Sequence, residues 1–300
     1  MNPTFGVHTG LQSTTTDELV ALWHRVEELG FDWISIWDHF YSADAARYDC
    51  LEAVTCHTAL ALETSRVRCG SLVYCAGYRH PAVLANAIAT IDHLSGGRAD
   101  IGLGAGWAAN EYHAYGIPFP SAGERLDLLE ESIQCVRGLL HGEVTNFSGR
   151  YFQLADARCE PRPVQEAIPI WVGGTGEKRT LRIAAAYADG WNAPFLSPDD
   201  CRHKNAVLDR HCADVDRDPS HVRRSVNLGL VADEAALHER FGVIAEFVRP
   251  GVLIGAGQEL VDRMGAYLDA GAEQINLALR APWDLDDLER AADAVATLRG

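Results

Sequence analysis

The 300-residue sequence contains no apolar run long enough to span a bilayer, and it is poor in positive charge. Lys and Arg number 26 against 42 Asp and Glu, which gives a formal net charge of −16. A surface with this excess of negative charge repels polyanions. We therefore expect neither nucleic acid nor an anionic membrane to be the main partner. An anionic ligand would need a locally basic pocket.

We also expect neither disulfide-paired cysteines nor a secretory leader. The eight cysteines include no C-x-x-C pair, and most of them lie within apolar stretches. The opening segment MNPTFGVHTG has neither the basic nor the apolar region that directs secretion. Because disulfides form in oxidising compartments, we expect reduced core thiols and a cytoplasmic protein.

Several common catalytic and nucleotide-binding motifs are absent. The sequence has no G-x-S-x-G, no H-E-x-x-H and no paired Cys/His spacing, so we predict neither acyl-transfer chemistry nor a metal site. A P-loop is excluded because Glu177 stands where that motif requires glycine before Lys178. The dinucleotide fingerprint also fails, since its third glycine would fall on Arg179.

The sequence does show a regular alternation of short apolar strands and amphipathic helices, repeated about eight times. This alternation is typical of a parallel sheet with crossover helices. Eight units in this length favour an α/β fold of the closed (β/α)8 TIM-barrel type over an open sheet. The rhythm breaks after the fourth helix, where glycines and prolines predict an insertion at about 141–167 with a short hairpin. No linker suggests a second domain, so residues 1–300 are expected to form one domain.

The stretch 169–192 has the sequence pattern of a possible anion-binding site. A buried strand is followed there by a loop with almost no side chains, formed by Gly173, Gly174, Thr175 and Gly176. A helix is predicted to begin at Glu177. Helix N-termini favour anions, and glycines let a phosphate approach the backbone. The alternative is that these glycines only form a tight turn, and the loop by itself favours neither interpretation.

Two pairs of residues lie where predicted strands end, which is the face at which TIM barrels carry their chemistry. Asp38 and His39 follow the second strand. A histidine at this place can transfer a proton near neutral pH, and a structural histidine is the alternative. Arg79 and His80 follow the third strand and would suit an anion, although His80 is equally suited to cap the next helix.

A third group ends the fourth predicted strand. Gly102, Gly104 and Gly106 alternate with small or apolar residues and lead into Trp107. A flat ligand lying against bare backbone, with Trp107 as a wall, would explain the pattern. Tight packing inside the barrel explains it equally well.

Four segments resemble the luciferase-like monooxygenase superfamily. They are SIWDHF at 35–40, RHPAVLANAIATIDHLSGGR at 79–98, GLGAGWAANEYHAYGIPFP at 102–120 and IPIWVGGTGEKRTLRIAAAYADGWN at 168–192. Within that superfamily, GIPFP and GEKRTLR are similar to the actinobacterial branch of deazaflavin (coenzyme F-420)-dependent oxidoreductases. The resemblance spans essentially the whole chain.

The resemblance implies a barrel that holds a flavin-like ring at its C-terminal mouth. Asp38 and His39 match the ring-side pair of the family, in which the histidine is the candidate for stabilising the reduced coenzyme. A cis non-prolyl peptide in the third strand of relatives would fall near Leu72–Val73. The implied coenzyme contacts are Leu72, Val73, Tyr74, Trp107, Asn110 and the loop Gly173–Gly176, with Trp37, Tyr74 and Trp107 as walls of the ring.

One departure limits what the resemblance implies about the substrate. A sugar-phosphate dehydrogenase relative has a catalytic glutamate where this chain has Trp107, and its tail-binding lysines have no clear match here. The sugar phosphate is therefore not carried over to this chain.

These implications predict a cytoplasmic oxidoreductase that moves a hydride between coenzyme F-420 and a small organic substrate. The alternatives are an FMN-dependent two-component flavin monooxygenase of the same fold and a non-catalytic flavin-binding protein. Lys178, Arg179 and Arg79 would offer positive charge to the anionic deazaflavin tail. Because relatives are often dimers, a homodimer is one expected assembly.

Overall fold

The computed structural model describes residues 2–41 and 49–300. Its strands are β1 (Thr4–Thr9), β2 (Trp33–Ile36), β3 (Arg68–Ser71), β4 (Tyr74–Cys75), β5 (Ile101–Gly104), β6 (Thr145–Ser148), β7 (Gln153–Ala157), β8 (Ile170–Gly173), β9 (Gly190–Pro194), β10 (Arg223–Val231), β11 (Val252–Ile254) and β12 (Gln274–Leu279). Its helices are α1 (Thr16–Glu28), α2 (Ala53–Glu63), α3 (Pro81–Ser95), α4 (Ala109–Ala114), α5 (Ala122–His141), α6 (Thr180–Tyr187), α7 (Pro198–Asp214), α8 (Glu234–Phe241), α9 (Ala245–Val248), α10 (Gln258–Asp269) and α11 (Leu285–Arg299).

The main sheet is parallel and runs in the order β3-β2-β1-β12-β10-β9-β8-β5-β4, with β11 added beside the end of β10. β3 and β4 are two halves of the third barrel strand, separated by a cis Leu72–Val73 peptide. Cys69 of β3 also pairs with Ala99, just before β5. The nine strand segments therefore form a nearly closed barrel of eight strands surrounded by helices, which confirms the predicted (β/α)8 fold and the predicted cis peptide.

The insertion lies after α5, which is the fourth helix of the sequence prediction because the short α4 was not predicted. β6 and β7 pair in an antiparallel hairpin outside the barrel sheet. The carboxylate of Glu131 on α5 accepts hydrogen bonds from the backbone N–H groups of Arg150, Tyr151 and Phe152, with N···O distances of 2.7, 2.9 and 3.1 Å. One partly exposed carboxylate thus ties the hairpin turn to the barrel helix that precedes it.

The barrel interior has a polar side and an apolar side. On the polar side, the side-chain amides of Asn192 and Asn276 each donate to Ser225 Oγ and Asn227 Oδ1 at 2.9–3.0 Å. Buried amides need such partners, and here they satisfy one another across three strands. The apolar side is formed by Trp33, Trp171 and Leu72, with Val73 packed against them.

Val73 explains the alternating glycines of β5. A Cβ atom added at Gly102, Gly104 or Gly173 would lie within 3.0 Å of a Val73 methyl carbon. The Val73 side chain thus occupies the space that side chains at those three positions would need. Tight packing in the barrel therefore accounts for Gly102 and Gly104, one of the two explanations that the sequence allowed.

Two local features differ from the sequence prediction. The helix expected from Glu177 begins only at Thr180, after a turn. The six-residue helix α4 was not predicted at all, because it is too short to show a period. Among the described residues no helix has the length and apolar character needed to cross a membrane, and all eight cysteines are free thiols, as expected.

We expect Gly104→Ala to lower the free energy of unfolding by about 1–3 kcal/mol, because its methyl group would overlap Val73. Val73→Ala in the same chain should recover at least half of that loss. Urea unfolding of both single variants and the double variant gives the coupling. Gly123→Ala on α5 is the control, since the nearest neighbouring atom to its added Cβ, Ser121 Oγ, lies at 4.0 Å. Strictly additive losses in the double variant would contradict the role of Val73.

Candidate active site

The C-terminal ends of the barrel strands bring several predicted site residues together. His39 follows β2 and Trp107 follows β5, and their ring centroids lie 5.4 Å apart in an edge-to-face arrangement. Val73, between β3 and β4, contacts Gly173 at the end of β8. These two pairs of neighbours come from four different barrel strands and lie at the end of the barrel where this architecture places its chemistry.

His39 is held by one ring nitrogen. Its Nδ1 lies 3.0 and 3.2 Å from the two carboxylate oxygens of Glu111, and 21% of its side chain is exposed. Trp107, which covers one edge of the ring, is itself 62% exposed. Among the residues that the structure describes, Nε2 of His39 has no hydrogen-bond partner, so it is the nitrogen that a ligand can reach.

Glu111 is the residue that the sequence analysis missed. It lies in the first turn of α4 and is only 1% exposed. Burial raises the pKa of a carboxyl, but hydrogen bonds from His39 and Tyr78 outweigh it and lower the pKa of Glu111. An ionised carboxylate only accepts hydrogen bonds, so Nδ1 of His39 must be the donor. The only sequence signal was an acidic residue directly after Asn110.

Asp38 makes different contacts from its neighbour. Its Oδ2 accepts from the backbone N–H of Cys75 at 2.9 Å, and the Arg79 guanidinium binds its two oxygens at 2.6 and 3.0 Å. Burial raises the pKa of Asp38, and Arg79 acts in the opposite direction. With both oxygens engaged and 4% exposure, Asp38 is better interpreted as an anchor for β4 than as a catalytic group.

The structure does not bring the Tyr74 ring to the barrel mouth, where the resemblance implied a wall of the coenzyme site. Tyr74 is fully buried, and its hydroxyl lies 2.9 Å from Nδ1 of His57 on α2, so the ring faces the helices and not the mouth. Leu72 is also buried, against Trp33 inside the barrel. Of the three predicted contacts in this strand, only Val73 has a partly exposed side chain.

The glycine loop after β8 is a well-anchored turn. Trp191 Nε1 donates to the Gly174 carbonyl at 2.7 Å, and a Cβ at Gly176 would lie 2.8 Å from Thr180 Oγ1. Gly174 has a φ of 121°, which disfavours any other residue. Thr175 is partly exposed between these anchors. The turn and the predicted phosphate site are compatible, so the phosphate site stays a prediction.

The basic residues predicted to serve the coenzyme tail are mostly paired with carboxylates. Arg79 binds Asp38 and also Glu52. Arg179 binds Asp127 at 2.7 Å, together with a carboxylate of the same helix, α5. Lys178 is exposed. The positive charge offered to an anion near the loop is therefore smaller than the sequence indicated.

The structure also describes the surroundings of His80 and Asn110, two further residues of the predicted site. Nδ1 of His80 accepts a hydrogen bond from the backbone N–H of Ala82 at 3.2 Å, which confirms that this histidine caps α3. Asn110 is exposed on α4, next to Glu111 in sequence. Its contact with a coenzyme remains a prediction.

The sequence matches the model of the luciferase-like monooxygenases over residues 2–296. This chain belongs to that family. An uncharacterized protein of Mycobacterium tuberculosis is 35% identical over 214 residues, which cover 71% of this chain and 72% of the relative. The F420-dependent glucose-6-phosphate dehydrogenase of Amycolatopsis mediterranei is 36% identical over 172 residues, or 57% of this chain and 50% of the dehydrogenase. The match thus spans only half of that enzyme.

Solved structures share the fold of this chain at lower sequence identity than these relatives. An F420-dependent secondary alcohol dehydrogenase in complex with an F420-acetone adduct has a TM-score of 0.89 at 20% identity, with both chains covered completely. The oxygenating constituent of 3,6-diketocamphane monooxygenase from Pseudomonas putida, in complex with FMN, has a TM-score of 0.76 at 17% identity over 99% of both chains. The family and the barrel fold are thereby confirmed, as is the assignment of the chain as an enzyme of this family. The fold alone does not discriminate between the two coenzymes.

Proposed function

We propose that this enzyme transfers a hydride between coenzyme F-420 and a small organic substrate. The observation that supports the chemistry most directly is His39, which is anchored through Nδ1 and accessible through Nε2 at the barrel mouth. The choice of coenzyme is supported by the resemblance of its segments to the deazaflavin-dependent branch and by the 36% identity to an F420-dependent dehydrogenase.

The residues at the mouth suit a flat ring with polar edges. Val73 offers a partly exposed apolar surface and packs against glycines, whose missing side chains leave the space that Val73 occupies. Near Gly10, the buried atoms Gln12 Oε1 and Trp37 Nε1 have no hydrogen-bond partner among the described residues. Buried polar atoms are normally satisfied, so one acceptor and one donor without partners favour a polar ligand at this end of the barrel.

A bound deazaflavin supplies the hydride chemistry, and the protein supplies orientation, exclusion of water and a proton site. His39 holds a proton on Nδ1 through Glu111 and offers Nε2 to accept or share another. Trp107 shields one edge of the imidazole from water. Val73 supports a ring from the barrel side, and Thr175 lies in the loop proposed to contact the phosphate-bearing tail.

An FMN-dependent monooxygenase is the second candidate. It is favoured by the FMN complex that shares this fold and by the pairing of Arg79 and Arg179 with carboxylates, which weakens the electrostatic case for a more anionic tail. The same His39 site would serve either coenzyme, so binding selectivity must decide between them.

We expect the purified protein to bind coenzyme F-420 at least about tenfold more tightly than FMN, because its segments resemble the deazaflavin-dependent branch. Parallel titrations that follow quenching of each coenzyme's fluorescence give the two dissociation constants, and a tenfold ratio corresponds to about 1.4 kcal/mol. Tighter binding of FMN by the same factor would overturn the proposed coenzyme and favour the monooxygenase.

We expect His39→Ala to lower turnover by roughly a hundredfold or more, the usual size of a general acid–base contribution, while coenzyme affinity changes by less than about tenfold. Single-turnover kinetics with a substrate that supports wild-type reaction separate the two effects. His24→Ala is the control, because His24 is an exposed residue of α1 that pairs with Glu63 at 3.3 Å, outside the mouth. Unchanged hydride transfer in His39→Ala would reduce His39 to a structural role.

The loop after β8 can be tested at Thr175, whereas a substitution of Gly174 would also disturb the backbone. We expect Thr175→Asp to weaken binding of the intact coenzyme by about tenfold or more, since a like charge a few ångströms away costs on the order of 1–4 kcal/mol. Thr175→Asn has the same shape without the charge and should bind nearly normally. A truncated deazaflavin without phosphate should not distinguish the two variants. Equal affinities of both variants for the intact coenzyme would show that the loop is only a turn.

A further inference from the structure

One buried carboxylate organises the segment that carries His39. The oxygens of Glu111 accept hydrogen bonds from Nδ1 of His39, from the backbone N–H groups of Phe40 and Tyr41 at 3.2 and 3.1 Å, and from the hydroxyl of Tyr78. The donors come from two segments about 40 residues apart in the sequence. Orientation of the imidazole and of the backbone after it therefore depends on a single side chain.

The chemistry of these contacts fixes the proton on the imidazole. A neutral histidine carries its proton on either Nδ1 or Nε2, and the hydrogen bond at one nitrogen decides between them. An ionised Glu111 can only accept hydrogen bonds, so it requires a donor at Nδ1. Burial and the hydrogen bond to Glu111 raise the pKa of the Tyr78 hydroxyl, so Tyr78 keeps its proton and does not transfer it to Glu111. Nε2 of the neutral ring is then left as the acceptor.

We propose that Glu111 is the positioning residue of His39: whenever the imidazole is neutral, Glu111 keeps its proton on Nδ1, and it orients the ring with Nε2 presented to the mouth. That this arrangement serves catalysis rests on the proposed function, whereas the position of the proton on His39 does not depend on it. Tyr78 supports the carboxylate from the other side, because its hydroxyl donates to Oε2 while its ring stacks on Phe40 with centroids 4.7 Å apart.

A purely structural brace for the segment 39–41 would use the same contacts, so the test needs a readout that a brace does not change. Glu111→Gln has nearly the same shape and still accepts hydrogen bonds through its amide oxygen. The amide also offers a donor, so it no longer forces the proton onto Nδ1. The matched control is Tyr112→Phe, because Tyr112 lies in the same aromatic cluster as Tyr78, but its hydroxyl contacts Cys75 Sγ at 2.9 Å.

The first measurement is the tautomer of His39 in the coenzyme-free protein, observed through long-range ¹⁵N–¹H NMR correlations of labelled histidine. The His39 signals are assigned by their loss in His39→Gln. We expect protonated Nδ1 and bare Nε2 in the wild type and in Tyr112→Phe, and a shift toward the Nε2–H form in Glu111→Gln. If the neutral His39 ring of the wild type carries its proton on Nε2, the proposal is overturned, whichever coenzyme the enzyme uses. This result is obtained with the wild type alone and does not depend on whether a Glu111 variant folds.

The second measurement separates binding from turnover. Removal of a carboxylate that orients a catalytic histidine costs from about tenfold to about 10⁴-fold in rate. We expect Glu111→Gln to lower kcat by about a hundredfold and to change the dissociation constant of coenzyme F-420 by less than about threefold. Normal kcat in a variant whose tautomer has changed would overturn the positioning role. Failure of F-420 to bind the wild type would instead refute the proposed coenzyme and leave the tautomer result standing.

Discussion

The position of Val73 is the constraint on which the mouth of this barrel depends. Its side chain enters the space between β5 and β8, so Gly102, Gly104 and Gly173 cannot carry a Cβ atom there. The interruption that places it there leaves β4 paired with β5 alone. The N–H of Cys75 then lacks a strand partner toward β2, and the Asp38 carboxylate accepts its hydrogen bond instead.

This arrangement explains why two adjacent residues have different tasks. Asp38 and His39 lie just beyond the end of β2, and their side chains contact different neighbours. Asp38 reaches back to β4 and is neutralised by Arg79, whereas His39 reaches α4 and is oriented by Glu111. Resemblance treats the two residues as one ring-side pair. The contacts divide them into an anchor for the strand and a histidine with one nitrogen accessible.

Hydrophobic periodicity was sufficient to predict the barrel, and the glycines and prolines that break this periodicity predicted the insertion, because each depends on local pattern. The orientation of Tyr74 did not follow from strand alternation alone. Leu72 and Val73 pack in one cluster inside the barrel, and the next side chain turns outward to His57. Glu111 was missed for another reason. It lies 72 positions from His39 on a six-residue helix, and neither the contact nor the helix leaves a periodic signal.

A count of charged residues in the sequence does not show which of them are paired with a residue of opposite charge. Arg79 and Arg179 look available for an anionic tail until the structure pairs them with carboxylates of α5 and of the segments around Asp38 and Glu52. On a chain with a net charge of −16, a cation such as the exposed Lys178, which has no carboxylate partner among the described residues, acts against a repulsive background. If the loop after β8 binds an anion, as we propose, recognition must depend more on backbone N–H groups and close approach than on arginine charge. The proposal thus assigns different physics to the two ends of the ligand, with backbone dipoles at the tail and a fixed proton position at the ring.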